Sequence, residues 1–168
     1  MKLTFLGTGT STGVPEIGCK CEVCTSVDPR DSRLRCSALL EEGDTTILID
    51  CGPDFRAQML RADVKKIDAL FLTHKHFDHM AGIDDLRPYT RDKELPIYAD
   101  EDTSQQVRSF FPYCFGEVKY PGVANIGLHL VEHDLPFTVG RLDITPIRVF
   151  HGRLPITGYR FGSLAELQ

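Results

Sequence analysis

Four ligand-type side chains, His74, His76, Asp78 and His79, fall within the stretch Thr-His-Lys-His-Phe-Asp-His-Met at 73–80, directly behind the apolar run 67–72. Residues 68–72 have the length and composition of a buried strand, so the polar cluster begins where that strand leaves the core. A strand end is a rigid support. Side chains alternate along extended backbone, which lets His74 and His76 share a face and grip one cation, while Asp78 and His79 lie past the bend and aim at a second. Neutral imidazoles with one carboxylate suit zinc or a similar first-row divalent ion, whereas calcium and magnesium prefer ligand sets made of oxygen. The fold must therefore bring the end of an interior strand to an open surface.

The remaining sequence reads as one layered domain. At 168 residues, with 42% hydrophobic and 26% charged residues, the chain has the size and composition of a single globular unit with its own core, here residues 1–168. Strands are predicted at 2–6, 37–41, 45–50, 68–72, 96–99, 128–132, 137–139, 142–149 and 159–161, and residues 42–44 make a hairpin turn. A helix is predicted from Pro53 to Arg61. A second is capped by Asp102 or Thr103 and runs to Phe110 before Pro112. Strands mixed with helices in this order imply an α/β (α+β) domain with mixed sheets.

Charge and targeting signals narrow the function classes. A net charge of −5 argues against a broad nucleic-acid-binding face, so extended RNA is not an expected partner, although a local arginine cluster could still hold one phosphate. The N-terminus lacks the apolar length and cleavage site of a signal peptide, and no run approaches a membrane span. The six cysteines are accordingly expected as reduced thiols or metal ligands, and the compartment as the cytoplasm.

The pattern His74, His76, Asp78, His79 resembles the His-x-His-x-Asp-His signature of the metallo-beta-lactamase superfamily. Three further segments agree with it: 3–9 (Leu-Thr-Phe-Leu-Gly-Thr-Gly), 47–52 (Ile-Leu-Ile-Asp-Cys-Gly) and 149–152 (Val-Phe-His-Gly). Residues 7–11 (Gly-Thr-Gly-Thr-Ser), the early cysteines and residues 82–87 (Gly-Ile-Asp-Asp-Leu-Arg) look like the branch of phosphonate-pathway cyclic phosphodiesterases and, more distantly, the tRNA 3′-processing endonucleases. The resemblance implies an αββα sandwich, incomplete at its C-terminal side because the chain matches the first two-thirds of such a domain. It implies a metal-dependent hydrolase, a phosphodiesterase acting on small or cyclic phosphodiesters through a metal-activated hydroxide. Thioesterase or lactonase chemistry, or metal binding without turnover in a truncated chain, are the alternatives.

By the same resemblance His151, just beyond the strand that precedes it, completes a first site with His74 and His76. Asp78 and His79 contribute to a second, Asp78 is catalytic, and Asp50 holds the metal loop from behind. The cofactor is zinc, with manganese as the alternative, in one or two catalytic ions. The family's bridging aspartate and last histidine have no counterpart before Gln168, and Glu166 does not match the motif. An intact first site and a partial or empty second one are expected.

Cys19, Cys21 and Cys24 are spaced Cys-x-Cys-x-x-Cys, which suits a structural zinc. The phosphonate-pathway branch is similar, adding a histidine from a region not matched here. Cys36, Cys51 and Cys114 are expected to pack in the core. Residues 7–13 can present backbone N–H groups to a phosphate, or serve simply as a turn-rich connection. Among Arg33, Arg35, Arg87 and Arg160, Arg87 is the expected substrate contact because it lies close to the metal loop. His129 and His133 are read as sheet-surface residues. Exposed sheet edges favour a homodimer.

Overall fold

The structure, a computed structural model, describes residues 1–116 and 120–162. Glu166, set aside on sequence grounds, lies outside the described residues.

Six strands form one mixed sheet in the order β1 (Lys2–Gly7), β2 (Ser37–Glu42), β3 (Thr45–Ile49), β4 (Ala69–Phe71), β5 (Leu95–Ala99) and β6 (Ile126–Leu130). The first three run antiparallel; β3 to β6 run parallel, so their C-terminal ends open on one side of the sheet. A second, antiparallel sheet has the order β7 (Phe137–Val139), β8 (Leu142–His151), β9 (Leu154–Phe161). The helices are α1 (Phe55–Ala62), the single turn α2 (Phe77–Met80) and α3 (Glu101–Phe110), with a run of 3₁₀ turns over Ala81–Tyr89.

The interior strand β4 separates two cores. Leu70, with the flanking Ile67 and Leu72, joins Phe55 and Met59 of α1, Ile83, Leu86 and Val107 in the helix-side core; Ala69 and Phe71 face the second sheet. A parallel strand covered on both faces needs an unbroken apolar run, which is why 69–72 show no alternation. Phe71 is the centre of the inter-sheet core. Its ring stacks on Tyr98 at 4.8 Å and Phe137 at 6.0 Å, and meets Tyr159 and Phe161 edge-on at 4.9 and 6.0 Å. Aromatic burial of this kind dominates core energetics.

Helix, six-stranded sheet and three-stranded sheet thus make three layers. The second outer helix layer of an αββα sandwich is not among the described residues. The narrower sheet leaves β1 uncovered: Leu3 and Phe5, opposite Leu40 and Ala38, remain 50% and 68% exposed.

Element ends differ from expectation for local reasons. α1 starts at Phe55 rather than Pro53, with Asp54 at its N-cap position. α3 is capped earlier than predicted, by Asp100, whose carboxylate accepts the Thr103 N–H at 2.8 Å. β9 begins five residues before the predicted Tyr159, because Leu154 pairs with His151 across the turn. Cys51 and Cys114 are buried as expected, but Cys36 is exposed. It immediately precedes β2, on the loop that runs past the mouth of the site described below.

Candidate metal centre

The sheet order brings three chain segments together at the C-terminal ends of β3 and β4. Asp50 follows β3 in a left-handed conformation, φ 58°, a region that Asp tolerates better than most residues. The chain leaves β4 through Thr73 to His76, and Asp78 and His79 lie in α2. Backbone bonds stitch these loops: the Cys51 N–H donates to the His79 carbonyl at 2.7 Å and the Gly82 N–H to the Cys51 carbonyl at 2.8 Å. Gly52 is required by this approach, since a Cβ there would stand 2.0 Å from the Asp78 carbonyl oxygen.

The third segment comes from the other sheet. His151 is the last residue of β8, not a residue beyond it, and its ring centroid lies 5.8 Å from His74 and 5.5 Å from His76. The centroids of His74 and His76 are 4.6 Å apart and those of His74 and His79 4.1 Å. β9 fixes this hairpin to the strand exit, with the Thr157 N–H donating to the Thr73 carbonyl at 2.8 Å and the Tyr159 hydroxyl to the Leu72 carbonyl at 2.9 Å.

Asp50 is 3% exposed and accepts three hydrogen bonds. One oxygen takes the Thr73 N–H at 2.8 Å; the other takes the Thr73 hydroxyl at 2.8 Å and His79 Nδ1 at 2.7 Å. Because the Thr73 hydroxyl gives its proton to Asp50, it accepts from His74 Nδ1 at 2.9 Å. The tautomers follow. Both His74 and His79 carry their proton on Nδ1, leaving a lone pair on Nε2. His74 Nε2 lies 3.1 Å from His76 Nδ1, and His79 Nε2 lies 3.2 Å from Asp78 Oδ2.

This donor set fits a divalent ion. Tetrahedral zinc with Zn–N of about 2.0–2.1 Å places two ligand nitrogens roughly 3.3 Å apart and two imidazole centroids roughly 5 Å apart. His74 Nε2 and His76 Nδ1 stand 3.1 Å apart, near the first value, and the ring centroids of His74, His76 and His151 lie 4.6 to 5.8 Å apart, around the second. Burial lowers the His74 pKa to about 4, reinforced by the neighbouring His79 and His76. Its ring is therefore neutral, as a ligand must be, at physiological pH. Burial acts on His79 in the same direction, but the hydrogen bond and charge of Asp50, with Asp78, outweigh it and raise the His79 pKa.

The cluster opens into a cleft of ≈ 610 Å³. His74, His76, Asp78, His79 and His151 form its polar floor; Gly9, Thr10 and Ser11 make one wall with Cys36, and Phe150 and Ile156 also line it. Thr73 and Phe150 are functional candidates that sequence reasoning missed, Thr73 being marked only by its adjacency to His74, whereas Ser11 belongs to the 7–13 segment already read as able to face a phosphate. Arg87, the expected substrate contact, is absent from the cleft. Its guanidinium pairs with Asp84 and it borders two other cavities, because the 3₁₀ run carries it onto the helix layer. Arg33, Arg35 and Arg160 do not line the cleft either. His129 stacks on Tyr98 at 5.1 Å, while His133 lies past β6 and bonds Thr157 at 3.2 Å.

A second cluster lies on the long loop after β1. Single ligand atoms of Cys19, Cys21 and Cys24 all fall within 4.8 Å of one another. The Glu16 N–H points at Cys24 Sγ and the Cys24 N–H at Cys21 Sγ. That second bond, with the neighbouring thiols, lowers the Cys21 pKa.

Two stacked sheets with histidines converging from strand ends of both define the metallo-beta-lactamase fold, with helices here against the larger sheet. The chain belongs to this superfamily: residues 45–166 match the family model described as a beta-lactamase superfamily domain. It is 47% identical over 168 residues to an octanoyltransferase of Porphyromonas gingivalis W83, covering 99% of this chain but 34% of that protein. It is 30% identical over 166 residues to ribonuclease Z of Bacillus subtilis 168, covering 95% of this chain and 48% of the enzyme. Among solved structures it matches a diphosphatase of the PhnP family with a TM-score of 0.86 and 43% identity, over 96% of this chain and 61% of that one. The chain thus spans between a third and two-thirds of these relatives. No helix among the described residues is long and apolar enough to cross a membrane.

Proposed function

We propose that this chain is a metal-dependent hydrolase acting on small phosphodiesters, and the observation that carries the proposal is the convergence of four imidazoles and one carboxylate on the floor of a single open cleft. His74 through Nε2, His76 through Nδ1 and His151 would hold one zinc ion; Asp78 and His79 Nε2, side by side, would supply part of a second site. A bound divalent ion supplies Lewis-acid polarisation of a phosphoryl oxygen and lowers the pKa of water to about 7.

The protein's own contribution is orientation. Asp50 and Thr73 hold the tautomers that aim lone pairs into the cleft, the arrangement by which outer hydrogen-bond partners tune a metal site. The Asp78 carboxylate borders the space where an ester would lie and is the group placed to accept a proton from attacking water. The diphosphatase and ribonuclease Z relatives support phosphoryl chemistry. The six free thiols are in keeping with a cytoplasmic location.

The octanoyltransferase relative gives a specific reason to weigh acyl chemistry, in which a carbonyl of a thioester or lactone replaces the phosphoryl group. Substrate profiling separates the two. The zinc- or manganese-loaded protein is offered bis(p-nitrophenyl) phosphate, a diphosphate diester, S-lactoylglutathione and an octanoyl thioester. Turnover of the phosphoesters that is lost in His76→Ala and His151→Ala supports the proposal. Turnover confined to the thioesters replaces it with the acyl reading, and no turnover of either overturns catalysis by this chain.

A further inference from the structure

The Thr10–Ser11 wall of the cleft is held by an unusual set of contacts. At its stems the loop is fixed by backbone bonds. The Gly9 N–H donates to the Leu34 carbonyl at 2.8 Å, and Val14 and Arg33 exchange two bonds at 2.8 and 2.9 Å. A Cβ on Gly9 would come within 2.8 Å of the Arg33 carbonyl oxygen, so glycine lets the loop lie flat against this segment. Between the stems the chain turns over, with the Gly13 N–H donating to the Thr10 carbonyl at 3.0 Å. Among the described residues, the hydrogen bond that ties this tip to the rest of the fold runs from Arg35 Nε to the Ser11 carbonyl at 2.8 Å.

Arg35 is itself gripped by α1. One Asp54 oxygen accepts from Arg35 Nη1 at 2.9 Å and the other from the Arg35 backbone N–H at 2.8 Å, while Gln58 Nε2 donates to the Arg35 carbonyl at 2.8 Å. Asp54 stands at the N-cap position of α1, where an aspartate normally caps the helix, yet its side chain makes no capping bond. Its carboxylate is committed to Arg35 instead. The pair is partly buried, at 26% and 19% side-chain exposure. Thr10 and Ser11 line the same cleft as Asp78 and the histidines. Successive N–H groups in a turn favour anions.

We propose that the Thr10–Ser11 turn is the subsite for the phosphoryl oxygens of the substrate and that Arg35, clamped by Asp54, is the positioning residue that holds it over the metal centre. This rests on the phosphoester reading above and adds to it the wall that takes the non-bridging oxygens. Arg35 acts through the turn, not by touching substrate.

The test measures inorganic phosphate binding to the metal-loaded protein by calorimetry, alongside bound metal per chain, thermal midpoint and the KM and kcat for bis(p-nitrophenyl) phosphate. Arg35→Ala and Asp54→Asn are each expected to weaken phosphate binding and raise KM about tenfold with metal content unchanged. Arg35→Lys restores only part of this, because a lysine lacks the fork that joins Asp54 and Ser11. Should Arg35→Ala fail to fold, Asp54→Asn carries the same comparison. Phosphate affinity within twofold of wild type in the folded variants overturns the clamp alone. A wild-type protein that loads metal but binds no phosphate overturns both the clamp and the phosphoester reading.

Discussion

Replacing Asp50 tests the logic of the metal centre most directly. Asp50→Asn keeps the shape but turns one of two acceptor oxygens into a donor. If the new amide nitrogen faces the Thr73 N–H, one buried donor loses its partner; if it faces the Thr73 hydroxyl and His79 Nδ1, both must reverse their roles. Leaving a buried donor unsatisfied costs about 1–3 kcal/mol. Asp50→Ala strands three donors together and is expected to cost about 3–5 kcal/mol. In the second amide orientation His79 carries its proton on Nε2, aimed into the cleft, and no longer offers a lone pair. Outer-shell losses of this kind weaken metal binding by roughly 10–100-fold. Competition against a chelator of known affinity measures the change, and nitrogen NMR of the imidazoles reads the tautomers. If Asp50→Asn binds zinc as tightly as wild type and leaves the spectra of His74 and His79 unchanged, the argument from Asp50 through Thr73 to the ligand tautomers is wrong.

Three further outcomes follow from the structure. Phe71→Ala, at the meeting point of four other aromatic rings, should destabilise the fold by about 3–5 kcal/mol in urea unfolding; a loss under 1 kcal/mol would contradict its central place. His74 has a folded pKa of about 4 against 6.5 unfolded, so the folded state binds fewer protons than the unfolded between these values. Its contribution is therefore present above pH 6.5 and lost as the pH falls toward 4, to an extent of up to about 3 kcal/mol. The raised His79 pKa works oppositely, stabilising at low pH and fading as pH rises. Metal-free His74→Asn should show a flatter acid limb of stability, and an unchanged limb would refute the assignment. Finally, cobalt loaded at the Cys19, Cys21 and Cys24 cluster should give thiolate charge-transfer absorption that Cys21→Ser weakens; identical spectra would remove the thiolate site.

Much of the site was legible because its ligands crowd one strand exit. An apolar run that stops at four donor residues identifies both a buried strand and a binding surface, and His74 to His79 lie where that pattern puts them. The hairpin of β2 and β3 was equally readable from its turn and flanking apolar residues. What escaped the sequence depends on distant chain segments. Arg87 is near the metal loop in number, but 3₁₀ winding carries it to Asp84 and away from the cleft. Arg35 looks like a surface cation until β2 and α1 pack together, when Asp54 becomes its partner. Cys36 reads as a core thiol because cysteine is usually buried, yet it sits one residue ahead of the strand and lines the cleft.

His74, His76 and His79 ride on the larger sheet, whereas His151 ends β8 of the smaller one. An ion seated among His74, His76 and His151 is a clasp between the layers, so its binding energy is also a docking energy for the β8–β9 hairpin. By mass action an ion at a thousand times its dissociation constant adds about 4 kcal/mol to folding. Removing it should loosen the Tyr159 and Thr157 contacts at the strand exit before the helix-side core gives way, which makes amide exchange along β9 a gauge of occupancy.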